Sequence, residues 1–91
     1  MSLTRHAEVR LQQRAIPPFV IELLERCGST MRCGGADLLY FDKSARKRLE
    51  RDLGGARSLR LVEKVLNVYA VINDNGRVVT AGHRSKRINR P

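Results

Sequence analysis

The 91-residue chain has no tryptophan, two phenylalanines, two tyrosines, two cysteines and three prolines, and it carries nine acidic residues against eighteen Lys and Arg. Each shortage closes a route. Cys27 and Cys33 supply neither a disulfide framework nor the four thiolates of a structural zinc site, and they read as free thiols of a reducing cytosol. No apolar run approaches the roughly 20 residues of a bilayer-crossing helix. The first residues, with Arg5, His6, Glu8 and Arg10, lack the apolar stretch of a signal peptide. A cytoplasmic location without a membrane partner is therefore expected. Gly34-Gly35, Gly54-Gly55, Gly76 and Gly82 fit none of the spacings of a phosphate-binding glycine loop. Two histidines, two cysteines and scattered acids without a paired-ligand spacing point away from a metal-dependent nuclease. No metal and no cofactor is expected.

What remains is strongly basic. The net charge is +9, and fourteen of the eighteen cationic residues are arginine, so anions are the expected partners. At 42% apolar residues the chain has the means to bury a core, which separates it from disordered polycations. Its length suits one domain, residues 1–91, with a basic tail over 84–91.

Apolar or small residues at Leu3, Ala7, Leu11 and Ala15 recur every fourth position and predict a helix over about residues 4–14, capped by Thr4 or Ser2. Ile16-Pro17-Pro18 breaks it, and Pro18 suits the first turn of a second helix, whose apolar face is Phe19, Val20, Leu23 and Leu24 and whose left-handed stop is Gly28. Ser29–Cys33 and Asp37–Phe41, joined by Gly34-Gly35, read as a hairpin. Asp42 caps a third helix with a buried stripe of Ala45, Leu49 and Leu53, ended by Gly54-Gly55. From Leu59 the period becomes two: Leu59 and Leu61 alternate with Arg60, and Val68–Ile72 and Arg77–His83 flank Asn75-Gly76. A two-residue turn there pairs Asp74 with Arg77. It sends Val68, Ala70, Ile72, Val79, Ala81 and His83 to one face, which the helices should cover.

His6, Arg10 and Arg14 stand four apart and form a ridge with no acid of its own. Arginine forks match phosphate oxygens and histidine moves a proton near neutral pH, so the ridge suits a phosphate. The plainer reading is a solvated face with Arg stems over the core, or pairing with Glu22, Glu25 or Glu63. His83 and Arg84, followed by Lys86, Arg87 and Arg90, end the last strand, and alternation sends the first two to opposite faces. Lys43, Arg46, Lys47, Arg48 and Arg51 spread around the third helix in the manner of a solvated surface. Tyr40 and Tyr69 fit half-buried sheet positions as well as stacking platforms.

The run His6-Ala7-Glu8-Val9-Arg10-Leu11-Gln12-Gln13-Arg14-Ala15-Ile16, H-A-x-x-R-x-x-x-R-x-I, resembles the opening signature of a family of small bacterial proteins of unknown function grouped with the RelE/barnase-like ribonuclease fold. Leu59–Val62, Val68–Ile72 and Val78–Arg84 look like the three closing strands of RelE-type toxins. The resemblance implies an α+β domain. It places two helices on an antiparallel sheet; with the mid-chain helix read above, the expected architecture is two N-terminal helices and a third mid-chain helix packed on one face of an antiparallel sheet of four to five strands. It also implies metal-independent RNA cleavage, in which a base takes the ribose 2′-hydroxyl proton and cations stabilise the phosphorane. His6 and His83 are then the proton-transfer candidates, with Arg10, Arg14 and Arg84 in charge stabilisation. Tyr69, Thr80, Arg84, Lys86 and Arg87 become RNA contacts. Two features depart from that pattern: no strand is visible ahead of the first helix, and a helix separates the strands. The implied partners are RNA or the ribosome, and an acidic antitoxin or immunity protein. The same charge also serves a non-catalytic nucleic-acid or ribosome binder, or a protein-interaction module.

Overall fold

A computed structural model describes residues 2–84. The order is α1 (Arg5–Gln13), α2 (Pro18–Cys27), β1 (Ser29–Cys33), β2 (Ala36–Tyr40), α3 (Lys43–Leu53), α4 (Ala56–Val62), a 3-10 turn over Glu63–Val65, β3 (Val68–Ile72) and β4 (Val78–His83). The architecture is α+β, with four helices and one antiparallel sheet in the order β1-β2-β3-β4. α1 lies against β4, α2 lies across β2 and β3, and α3 packs on α2 and α4.

The helix boundaries follow from local chemistry. Thr4 Oγ1 accepts from the Ala7 amide and Asp42 Oδ1 from the Ala45 amide, so both expected caps form. Pro18 sits in the first turn of α2 and Gly54 ends α3 at φ +92°. Gly28 does not take the expected left-handed conformation: its φ is −65°. Glycine is required there by proximity, because a Cβ would stand 2.5 Å from the Leu24 carbonyl oxygen. α1, by contrast, closes through a left-handed residue that is not glycine, Ala15, at φ +53°. There the Ile16 amide donates to Leu11 O and the Ala15 amide to Gln12 O, a Schellman closure with Leu11 and Ile16 both buried. A left-handed alanine is strained by roughly 1–2 kcal/mol. The gain from glycine is partly offset by its freer unfolded chain. Ala15→Gly is therefore expected to stabilise the domain by about 0.5 kcal/mol, raising Tm by roughly 2–4 °C in a thermal melt.

The expected strand from Leu59 is a helix. Leu59 and Val62, three apart, pack against the core while Leu61 is 83% exposed, so the period is helical and the apparent alternation came from counting Leu61 as inward-facing. One of the three strands compared with RelE-type toxins is thus α4. Ahead of α1, Leu3 forms a single parallel bridge to Val78, so the sheet has four strands and one isolated contact at its edge.

The last hairpin reaches its expected register by an unexpected route. Gly76 is left-handed at φ +77°, and the Gly76 amide donates to Asn73 O while the Asn73 amide donates to Arg77 O. The loop is therefore Asp74-Asn75-Gly76, three residues in place of two. This shifts the pairing by one, to Ile72↔Val78, and an irregularity between Val71 and Ile72 shifts it back. Val71↔Thr80, Ala70↔Ala81, Tyr69↔Gly82 and Val68↔His83 then match the sequence count. The cost of the detour is the identity of the inward residue: Val78 is buried at 1% exposure, and Val79 is only half-buried. The first hairpin is the one closed by two left-handed residues, Gly34 and Gly35.

A single apolar cluster joins Ala7 and Leu11 of α1, Val20, Ile21 and Leu24 of α2, Leu39 and Phe41, Ala45 and Leu49 of α3, and Val68, Ala70, Val78 and Ala81 of the sheet. The core lies between the helices and one sheet face.

Candidate nucleic-acid interface

The start of α1 is tied to the start of β4. The Thr4 amide donates to Val78 O (2.9 Å) and the Val78 amide to Ser2 O (2.8 Å). Both elements then run the same way, and the far end of β4 meets the far end of α1. There His83 Nε2 lies 2.7 Å from the Arg14 carbonyl oxygen. A carbonyl only accepts, so Nε2 is the donor, and Nδ1 has no hydrogen-bond partner among the described residues. The exposed His83 ring is thereby fixed beside Arg14.

At the other end, Arg10 Nε donates to His6 Nε2 at 3.4 Å, one turn apart on an exposed ridge. Among the described residues, no carboxylate is within ion-pair distance of His6, Arg10, Arg14 or His83. Three of the nine acids pair elsewhere: Asp52 with Arg26 at 2.7 Å, and Asp37 and Asp74 with Arg32 at 3.3 and 2.7 Å. The neighbouring Glu8 borders an apolar groove of about 470 Å³ lined by Leu3, Leu11, Ile16 and Pro17. The ridge is thus unneutralised, as its spacing implied.

It does not converge on one point. His6 and Arg14 are eight residues apart, about 12 Å along a helix axis, and helical side chains lean toward the N-terminus, so His6 points away from His83. The arrangement is two cationic stations, His6–Arg10 and Arg14–His83, along one edge.

The remaining candidates divide between the faces. Register puts His83 on the helix side with Val68, and puts Tyr69, Thr80 and Gly82 on the other side. Tyr69 packs its ring on Gly82, where a Cβ would come within 2.9 Å of the phenol oxygen. Arg84 is half-buried. Its guanidinium stacks over Tyr40 at 5.6 Å and its Nη1 donates to Phe41 O at 2.7 Å. Its Nε has no hydrogen-bond partner among the described residues. Burial, and then the charge of Arg46, hold its pKa below the ordinary value, against smaller opposing effects of Tyr40 and Asp42. Arg84 and Tyr69 therefore hold the sheet together and stand apart from the α1 edge. Lys86 and Arg87 lie outside the described residues.

Among the described residues, no group of three or more His, Cys, Asp or Glu is placed to hold a metal ion, and no helix is long and apolar enough to cross a membrane. Cys27 is buried and Cys33 exposed. Burial pushes the Cys27 thiol up, Asp52 adds to the rise, and Arg26 and Arg48 oppose it. A raised thiol is a poor nucleophile. With iodoacetamide near neutral pH, Cys33 is expected to label fast and Cys27 only at the rate of opening, as read by mass spectrometry of the timed digest. Equal labelling would contradict the packing of Cys27.

What the spacing of α1 did not reveal is a second arginine group at the seam of α2 and α3, made by Arg26, Arg48 and Arg51. The one-turn separation of Arg48 and Arg51 was its available signal. Compared with protein-family models, curated proteins and solved structures, the chain has no match in any of the three.

Proposed function

We propose that the protein is an RNA-directed basic protein that holds the phosphate backbone along the edge formed by α1 and the end of β4. The observation that carries this reading is the pair of cationic stations, His6–Arg10 and Arg14–His83, with no carboxylate partner among the described residues. Uncompensated guanidiniums on a rigid helix favour a polyanion, and stations about two turns apart suit several phosphates of a strand better than one. Neutralising phosphates releases counter-ions, so binding should fall steeply with salt. The test is fluorescence anisotropy with a single-stranded oligoribonucleotide across a salt series, for wild type and for Arg10→Glu/Arg14→Glu. A flat salt dependence, or an unchanged affinity in the double variant, would overturn the reading.

A metal-independent ribonuclease of toxin type, within a RelE/barnase-like fold, is the second reading, and His83 favours it. Its ring is exposed and oriented by Arg14 O, and its Nδ1 has no partner among the described residues, which suits a general base. His6, two turns away, is poorly positioned as its acid partner. Gels of the same RNA, alone and on ribosomes, distinguish the two. Intact RNA fits backbone binding, and cleavage lost in His83→Ala would move the assignment to the ribonuclease. An acidic antitoxin or immunity protein would compete for the same edge.

A further inference from the structure

We propose a second anion site, independent of the α1 edge: a recess at the seam of α2 and α3 that takes the phosphate dianion of a phosphomonoester or of inorganic phosphate. The recess is a shallow, open depression of about 510 Å³, lined by Arg26, Cys27, Arg48, Arg51 and Asp52. Three guanidiniums face one carboxylate.

The group is pre-organised. Arg48 Nε donates to the Cys27 carbonyl, the last residue of α2, at 3.1 Å, and its Nη2 donates to Ser29 Oγ at 3.0 Å. Ser29 in turn donates to Asp42 Oδ1 at 2.7 Å, and that oxygen also caps α3. Arg48 is thus held by α2, β1 and the start of α3 together, and its Nη1 has no partner among the described residues. Arg26 is held against Asp52 at 2.7 Å. Arg51, one turn beyond Arg48 on the same face of α3, has no ion-pair or hydrogen-bond partner among the described residues.

Summed formally, the lining carries two positive charges, matching the roughly −1.5 to −2 of a phosphomonoester near pH 7. A diester carries only one negative charge on two non-bridging oxygens, against up to two charges on the three of a monoester, so it matches the lining less well. Two arginine forks, one fixed and one free, supply the planar donors that phosphate oxygens accept. The order of α3 explains why the group forms here. Ala45 and Leu49 turn inward, so Arg48 and Arg51 fall on the side that faces the end of α2.

The test titrates inorganic phosphate into the full chain at constant ionic strength, followed by amide and arginine Nε–H shifts in NMR. Saturable shifts are expected at Arg26, Arg48 and Arg51. Arg51→Gln, which removes no internal hydrogen bond and so should leave the fold intact, is expected to weaken binding by about tenfold or more, the worth of one charge-assisted contact. Arg48→Lys, which keeps the charge and loses the fork, should weaken it and, through the lost bonds to Cys27 O and Ser29 Oγ, also lower the melting temperature by several degrees, so Arg51→Gln is the cleaner variant. Arg10→Glu/Arg14→Glu should leave it unchanged, which separates this site from the α1 edge. A second arm compares 5′-phosphorylated with 5′-hydroxyl oligoribonucleotide. A preference for the phosphorylated end that Arg51→Gln abolishes names a nucleic-acid terminus as the source, and no preference names a small phosphomonoester. Linear, unsaturable shifts, or saturation unaffected by Arg51→Gln, would overturn the proposal.

Discussion

Phe41→Ala is expected to lower the stability of the domain by about 3–5 kcal/mol, the range for a buried phenylalanine that leaves a cavity. A domain of this length holds roughly 5–14 kcal/mol in all, so the variant sits near the edge of folding. Phe41 is 2% exposed, inside the cluster shared by the helices and the sheet. Its position amplifies the loss. Its carbonyl accepts from Arg84, and Asp42 beside it caps α3, so the cavity opens where β2, α3 and the end of β4 meet. In a thermal melt the drop should exceed about 12 °C. Leu61→Ala is the control, since Leu61 is 83% exposed and its truncation should fall within about 0.5 kcal/mol of wild type. A Phe41→Ala protein melting beside Leu61→Ala would remove Phe41 from the core.

Reversing both α1 arginines, Arg10→Glu/Arg14→Glu, is expected to weaken RNA binding about fifteenfold near 0.15 M salt. The figure follows from counter-ion release. Each contact with a single strand contributes about 0.7 to the logarithmic salt slope, so losing two flattens it by about 1.4, and the contribution measured against 1 M salt is then a little over one logarithmic unit. Repulsion by the new carboxylates adds to this. Each exchange changes the charge by two, so the double variant keeps +5 of the original +9. Arg57→Glu/Arg60→Glu, on the exposed side of α4, removes the same charge from another surface. If the two variants lose affinity equally, net charge governs binding and the α1 edge has no special part.

Much of the fold was legible because its signals are short-range. Thr4, Pro18, Asp42 and Gly54 act on amides or dihedrals within a turn of themselves, and each marks its boundary. The pairing of β3 with β4 was legible in its far half, since a hairpin counts outward from its turn. Leu59–Val62 failed for a different reason: four residues with apolar ones at alternate and at third positions fit both periods, and only burial separates them. The ridge of His6, Arg10 and Arg14 could be read from helical spacing alone. That His83 joins Arg14, and stands two turns from His6, depends on α1 and β4 running side by side in the same direction.

The sequence by itself determined a basic, single-core α+β chain, the ends of α1, α2 and α3, and an arginine ridge without local acids. All of these follow from interactions within a few residues or from charge counted along the chain. Only the tertiary structure decided that Arg84 is stacked on Tyr40 and that Arg26, Arg48 and Arg51 share a recess. Each of those unites side chains from different elements, and proximity between elements is set by how the core closes, which spacing along the chain does not encode.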